Sequence, residues 1–299
     1  MATVFPRLSG PFRQPHVQAT FMMNSLFRRT LVTLAFSAVS LGSSLALAQT
    51  PVGGNGTLTA AIVPNYPPFE YKDPATDELT GFDVDLGVAL AAKMGVKLKW
   101  EETNFDQMMS ALTTHRVDVI LSGMTDLPTR RDAVNFLDYI KSGPQFYTLR
   151  THAGDFPSIE SVCGKHVGTS RRTSWPDDIK TWSDEHCVKA GKPAVVVVGT
   201  DGSADARLQL RQGRIDAAVQ GGETLPYQNT LEKDAYAPIG QPFMSQYTAI
   251  GMAKSSPALN DTISQAFGKL IADGTYAKIL KKWGLQEHAV SKVIINSQE

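Results

Sequence analysis

The same unit is written twice in this chain. One copy runs Arg116-Val117-Asp118-Val119-Ile120-Leu121-Ser122-Gly123, the other Arg214-Ile215-Asp216-Ala217-Ala218-Val219-Gln220-Gly221. Each follows a run with helical spacing, starting near Phe105 and near Arg207. Each then reads as a tight turn, an Asp ahead of an apolar strand, and a loop of small residues. A repeated helix–strand unit predicts two similar α/β halves. In open α/β sheets, ligands sit beyond the carboxyl ends of the strands, so two halves facing each other would enclose a cleft. Asp118 and Asp216 precede the strand interior and read as structural residues of the turn.

The loop after the first copy carries the chemistry. Ser122-Gly123-Met124-Thr125, followed by Arg130, offers backbone N–H groups, two hydroxyls and a guanidinium. That set suits a carboxylate, because arginine pairs with it bidentately and each charge-assisted hydrogen bond contributes about 1.5–3 kcal/mol. The alternative is a surface loop with a solvated arginine.

Residues 1–48 read as an upstream extension plus a secretory signal peptide, with Met22 or Met23 as possible starts. Arg28-Arg29 form the positive segment, and Leu31 to Leu47 is apolar but broken by Ser37, Ser40, Gly42, Ser43 and Ser44. Ala46-Leu47-Ala48 is a small-residue cleavage site. A membrane anchor is the competing reading, but the run is short and serine-broken. Cleavage after Ala48 removes four of the 29 basic residues and none of the 29 acidic ones, leaving a net charge near −4. That argues against nucleic acid or an anionic membrane surface as partner. A periplasmic location follows. The two cysteines, Cys163 and Cys187, then read as a disulfide closing a loop of about 25 residues. His166 and His186 lie near them, but a metal site needs more ligands, and no cofactor is expected.

Further candidates lie along the chain. Tyr66 and Phe69 sit on a loop that Pro67-Pro68 holds extended; Phe69 reads as core and Tyr66 as a ring to stack on a ligand. Phe105 is a second ring wall or a core residue. Thr173 and Ser174 precede a helix starting near Asp177 and are either carboxylate donors or an ordinary cap. Ser142-Gly143-Pro144 reads as a crossing between lobes, and Gln246 to Ala253 as the returning strand.

Taken together, Tyr66-Pro67-Pro68-Phe69, Gly81-Phe82-Asp83-Val84-Asp85-Leu86, Ser122 to Arg130, Gly164-Lys165-His166-Val167-Gly168, Gly213-Arg214-Ile215-Asp216-Ala217 and Asp273-Gly274-Thr275-Tyr276 resemble the polar amino-acid-binding proteins of ABC importers, solute-binding family three. The resemblance covers about Leu58 to Leu285. It implies a two-lobed α/β fold of periplasmic binding protein type II with two crossing hinge strands. Lobe one would hold residues 57–145 and 246–285, lobe two residues 146–245, with 286–299 as a tail. It also implies hinge closure over an amino acid and delivery to permease subunits by a monomer. Carried over by position, Tyr66 and Phe105 would sandwich the ligand, Ser122, Gly123 and Thr125 would bind its polar head, and Arg130 and Thr173 its α-carboxylate.

Two positions depart from the family pattern. Arg172 stands where the family usually has glycine, and Gly221 where it usually has the Asp that pairs with the α-ammonium. Either Glu223 reaches back to replace that Asp, or the ligand lacks a free ammonium or carries extra negative charge that Arg171 or Arg172 meets. A binding protein needs no reactive group, and none is demanded here. The competing functions are an enzyme on the same scaffold, resembling cyclohexadienyl dehydratases with Glu223 as acid or base, and a sensory solute receptor.

Overall fold

The computed structural model describes residues 56–297; the expected signal peptide and its cleavage site lie outside them. The chain order is β1 (Thr57–Ile62), β2 (Asn65–Tyr66), β3 (Glu70–Lys72), β4 (Leu79–Thr80), α1 (Phe82–Met94), β5 (Lys97–Glu102), α2 (Met108–Thr113), β6 (Val119–Ile120) and β7 (Val134–Ser142). It continues with β8 (Pro144–Leu149), β9 (His166–Ser170), α3 (Trp175–Ser183), β10 (Val196–Thr200), α4 (Ser203–Arg211), β11 (Ala217–Gly221), α5 (Leu225–Leu231) and β12 (Tyr236–Pro238). The last part is β13 (Gln246–Ala253), α6 (Pro257–Ala272), α7 (Thr275–Trp283) and β14 (Ala289–Ile295).

Two mixed sheets result. The first has the order β14-β7-β13-β6-β1-β5, the second β10-β9-β11-β8-β12, and a small sheet β2-β3-β4 carries Tyr66. β1 runs parallel to both β5 and β6, and β9 parallel to both β10 and β11. Central parallel strands are buried on both faces, and the residue pattern shows it. In β1, Leu58 and Ala60 pack under α1 and α6, whereas Ala61 faces the layer of Met108 and Leu112. In β11, Ala217 and Val219 meet Trp182 and Ile179, whereas Ala218 meets Leu210 and Ala206.

The duplicated unit does the same structural work in both sheets. Asp118 Oδ2 accepts from the Thr59 N–H at 2.7 Å, and the Asp118 N–H donates to the Thr59 carbonyl at 2.8 Å. Asp216 Oδ2 accepts from the His166 N–H at 2.8 Å, and its own N–H donates to the His166 carbonyl at 2.8 Å. Each aspartate pins its turn to the first parallel strand of its sheet.

The chain crosses between the sheets at Ser142-Gly143-Pro144 and returns ahead of β13. The two crossings touch at Gly143, where a Cβ would stand 1.8 Å from the Met244 carbonyl oxygen, so only glycine fits. Of the segment set apart above as a tail, Ala289–Ile295 form β14. β14 pairs antiparallel with β7, and Val290 is buried in the first core. The edge of β7 left uncovered would be a line of unpaired backbone groups, and this strand satisfies them.

Cys163 and Cys187 are bonded, with Cα atoms 5.6 Å apart. The bridge joins the end of a short helical turn (Ile159–Val162) to the segment Asp184–Val188 that follows α3. Replacing both cysteines by alanine is expected to lower unfolding free energy by about 3 kcal/mol, as the chain-entropy relation gives for a loop of this length. Urea denaturation of the variant against the oxidised protein measures it; a difference below about 1 kcal/mol would mean the second lobe does not rely on the bridge. Among the described residues no helix is long and apolar enough to cross a membrane, and no group of three or more His, Cys, Asp and Glu could hold a metal ion.

Candidate functional site

The carboxyl ends of β1, β6, β9 and β11 border a cleft with two adjoining chambers. The larger, about 750 Å³ of unfilled space with its mouth, is lined by Tyr66, Phe105, Ser122, Gly123, Thr125 and Arg130 from the first lobe. Arg172, Thr173, Ser174 and Trp175 line it from the second. The smaller, about 300 Å³, lies against the crossings and shares Tyr66, Gly123, Thr125 and Trp175 with the first; it adds Gly221 and Glu223. All ten ligand-binding candidates therefore border one or the other of these adjoining chambers. Trp175, not among those candidates, borders both chambers.

Arg130 lines the larger chamber, on a short turn that a proline starts (Pro128–Arg130). Its Nη1 donates to the Thr125 carbonyl at 2.8 Å, and its guanidinium carbon lies 6.0 Å from the Phe105 ring centroid. Burial pulls its pKa down, opposed by the carboxylates of Asp178 and Asp126. The loop is pinned to the returning strand: the Ala249 N–H donates to the Met124 carbonyl at 2.8 Å and the Asp126 N–H to the Tyr247 carbonyl at 2.9 Å.

Ser122 and Gly123 border the cleft, but their polar groups are already engaged, which changes the role assigned to them. The Ser122 hydroxyl donates to Glu70 Oε1 at 3.0 Å and accepts from the Val63 N–H at 3.0 Å. The Gly123 N–H donates to Asp83 Oδ2 at 2.9 Å, which also accepts from the Tyr139 hydroxyl at 3.0 Å. Glu70 and Asp83 are 1% and 0% exposed, too buried for both to carry charge. Burial, then the neighbouring Asp83 charge, raises Glu70 well above the carboxylate range, and burial raises Asp83 to about 7. Bonded to Ser122 and to the Gly123 N–H, this buried pair ties the loop from beneath.

This pair has a consequence for stability. A carboxyl with a folded pKa above its unfolded value binds more protons in the native state, so stability is full below the unfolded pKa and is lost as pH rises through the folded one. For Asp83 the window runs from 3.8 to about 7. Asp138, pushed to about 8 by burial and by Asp126, extends it upward. Unfolding free energy is expected to fall between pH 5 and pH 8. Asp83→Asn, which keeps an acceptor for Gly123 and supplies a donor toward Glu70, should flatten part of that slope. Urea midpoints at pH 5, 6.5 and 8 measure it; a slope unchanged in the variant would refute a raised Asp83 pKa.

From the second lobe, Thr173 offers less than expected. Its hydroxyl donates to the Ser170 carbonyl at 2.9 Å and accepts from the Trp175 N–H at 3.3 Å, a local turn. Ser174 Oγ, at the start of α3, is buried and faces the Asp178 carboxyl, holding its pKa down against the rise that burial causes. Arg171 donates to the Gly199 carbonyl at 3.0 Å and pairs with Asp201 at 2.8 Å. Arg172 is exposed, borders the larger chamber and has no ion-pair partner among the described residues.

The Gly221 position is filled from elsewhere. Its backbone, at φ −60°, suits any residue, but a Cβ there would stand 2.1 Å from Glu223 Oε1 and 2.6 Å from the Tyr66 hydroxyl. The short turn Gly222–Thr224 folds Glu223 back into the volume that a side chain at 221 would occupy. Glu223 is 5% exposed; burial raises its pKa, and hydrogen bonds from Ser142 and Tyr66 oppose the rise. Tyr66 links the lobes: its hydroxyl donates to Glu223 Oε1 at 3.5 Å and accepts from the Gly221 N–H at 3.1 Å. Its ring stacks on Phe69 at 5.6 Å and tilts against Trp175 at 6.1 Å. Beside the cleft, the Tyr71 and Tyr227 hydroxyls meet at 2.6 Å and Gln228 Nε2 donates to the Pro67 carbonyl at 3.0 Å, so the lobes touch.

Two α/β lobes in contact across a cleft lined by arginine, aromatic rings and a buried carboxylate define a solute-binding protein of the type II fold. Residues 58–286 match the bacterial extracellular solute-binding proteins, family 3. The chain belongs to that family. It is 30% identical to an L-arginine-binding protein of Pseudomonas aeruginosa over 262 residues, covering 85% of this chain and 94% of that one. It is 27% identical over 232 residues to the histidine-binding periplasmic protein of Escherichia coli, covering 74% and 84%. Among solved structures, the ancestral amino acid-binding protein AncCDT-1, a precursor of cyclohexadienyl dehydratase, superposes with a TM-score of 0.66 at 27% identity, covering 76% and 95%.

Proposed function

We propose that the protein captures an α-amino acid or a close derivative in this cleft and delivers it, as a periplasmic monomer freed from its signal peptide after Ala48, to the permease subunits of an ABC importer. The observation that carries the reading is the placement of Glu223. Its carboxylate occupies the space of the missing side chain at Gly221, in the chamber adjoining the one that Arg130 borders. An ammonium would meet Glu223 and a carboxylate would meet Arg130. Ser174 and Thr125 complete the polar shell, and the rings of Tyr66, Phe105 and Trp175 flank the rest. Removing that much water around a zwitterion is tolerable only if both charges are matched.

A thermal-shift screen of amino acids, opines and organic acids tests this. A ligand at about 100 times its dissociation constant adds roughly 2.7 kcal/mol to stability. If only ligands without an α-carboxylate stabilise the protein, the reading fails. The enzyme reading has one feature in its favour, a buried carboxyl with a raised pKa in the cleft. Turnover of a bound ligand that is lost in Glu223→Gln would establish it. Absence of turnover leaves Glu223 as a counter-charge.

A further inference from the structure

The larger chamber has an uneven charge. Four ionisable side chains that border it decide this: Glu70, Arg130, Arg172 and Asp201. Glu70 lies beneath Ser122, bonded to its hydroxyl, and is 1% exposed. Asp201 is held by Arg171 at 2.8 Å, and Arg171 is itself tied to the Gly199 carbonyl. Glu70 is thus buried beneath the loop, and Asp201 is already paired. Of the two guanidiniums, Arg130 bonds to a carbonyl with the carboxylates of Asp178 and Asp126 nearby, and Arg172 has no ion-pair partner among the described residues. The neutral lining adds the hydroxyls of Thr125 and Ser174.

We propose that this chamber selects an amino acid whose side chain ends in a second acidic group, received by Arg172 from the second lobe. The inference rests on the reading above, in which Arg130 takes the α-carboxylate. It separates this protein from the arginine- and histidine-binding relatives. A cationic side chain here would face two guanidiniums, while the chamber's own two carboxyl groups are buried, as Glu70 is, or already paired, as Asp201 is, and like charges at a binding surface act against the wrong ligand. Arg172 fits the task because a planar guanidinium binds a carboxylate through two parallel N–H bonds. Of the two adjacent arginines, Arg171 is already paired, so the role falls to Arg172 alone.

The test uses the mature chain and four probes in isothermal titration: L-glutamate, L-2-aminoadipate, L-glutamine and L-arginine. At least one of the two acids is expected to bind more tightly than both glutamine and arginine, with a preference that shrinks as salt rises. In Arg172→Ala the affinity ratio of acid to glutamine is expected to fall about tenfold, and Arg172→Lys to recover part of it. Because Arg172 is exposed and unpaired, circular dichroism should show an unaltered fold. The proposal is overturned if arginine binds as tightly as the acids, if neither acid binds, or if Arg172→Ala weakens acid and glutamine equally. Should glutamine or arginine bind through Arg130 while the acids do not, only the acidic side chain is refuted. Should no amino acid bind at all, the reading of the cleft fails with it.

Discussion

Arg130→Ala is expected to remove nearly all of the stabilisation that a bound amino acid confers on the wild-type protein. A bidentate guanidinium–carboxylate contact supplies two charge-assisted hydrogen bonds of about 1.5–3 kcal/mol each, so affinity should fall by more than 100-fold. The fold should survive, since the side chain gives up one hydrogen bond to the Thr125 carbonyl and its place near the Phe105 ring. Arg130→Lys should recover a fraction, because a point charge lacks the fork. Thermal shift with and without ligand measures all three proteins. A ligand-induced shift in Arg130→Ala equal to that of the wild type would take this residue out of the site.

The second large effect concerns Glu223. Removing its carboxylate in Glu223→Ala strands an α-ammonium in a buried chamber, which costs several kcal/mol, so binding of a ligand with a free ammonium should drop by at least 100-fold. Gly221→Asp alone should also lose binding, because the new side chain collides with Glu223 Oε1 and the Tyr66 hydroxyl. The two changes together are expected to restore much of the affinity. The backbone at 221 accepts an aspartate, and the vacated space receives its carboxylate. Recovery in the double variant, measured by titration calorimetry, is the decisive result. If Glu223→Ala binds like wild type, the ammonium is met elsewhere.

Much of the frame could be read along the chain because its causes are local. The Asp of each repeat was legible as a turn residue from its place before an apolar strand, and both aspartates hold that turn to its sheet. A cysteine pair in an exported chain reads as a bridge, and it is one. Arg130 follows its strand closely enough that its placement at the cleft follows from the topology. Other features were hidden because their partners lie far off in sequence. Ser122 finds Glu70 52 residues away, and Gly123 finds Asp83 at a separation of 40. No pattern within a window says that a hydroxyl expected to serve the ligand is spent on a buried acid. Thr173 and Ser174 are neighbours of equal chemistry, and only the turn into α3 decides that Thr173 bonds back to the Ser170 carbonyl while Ser174 faces Asp178. The last strand escaped notice since its place in the sheet depends on an edge that β7 leaves open.

Alone, the order of residues determined two α/β halves, a disulfide in the second, and an arginine-bearing loop at the end of a parallel strand. These follow from side-chain periodicity, turn chemistry and the reach of a few residues. Tertiary structure alone decided what fills the gap at Gly221. The answer depends on one volume being claimed by Glu223 from a short turn, by Tyr66 from the opposite lobe and by Ser142 from the crossing, and only packing in three dimensions brings those three to the same few ångströms.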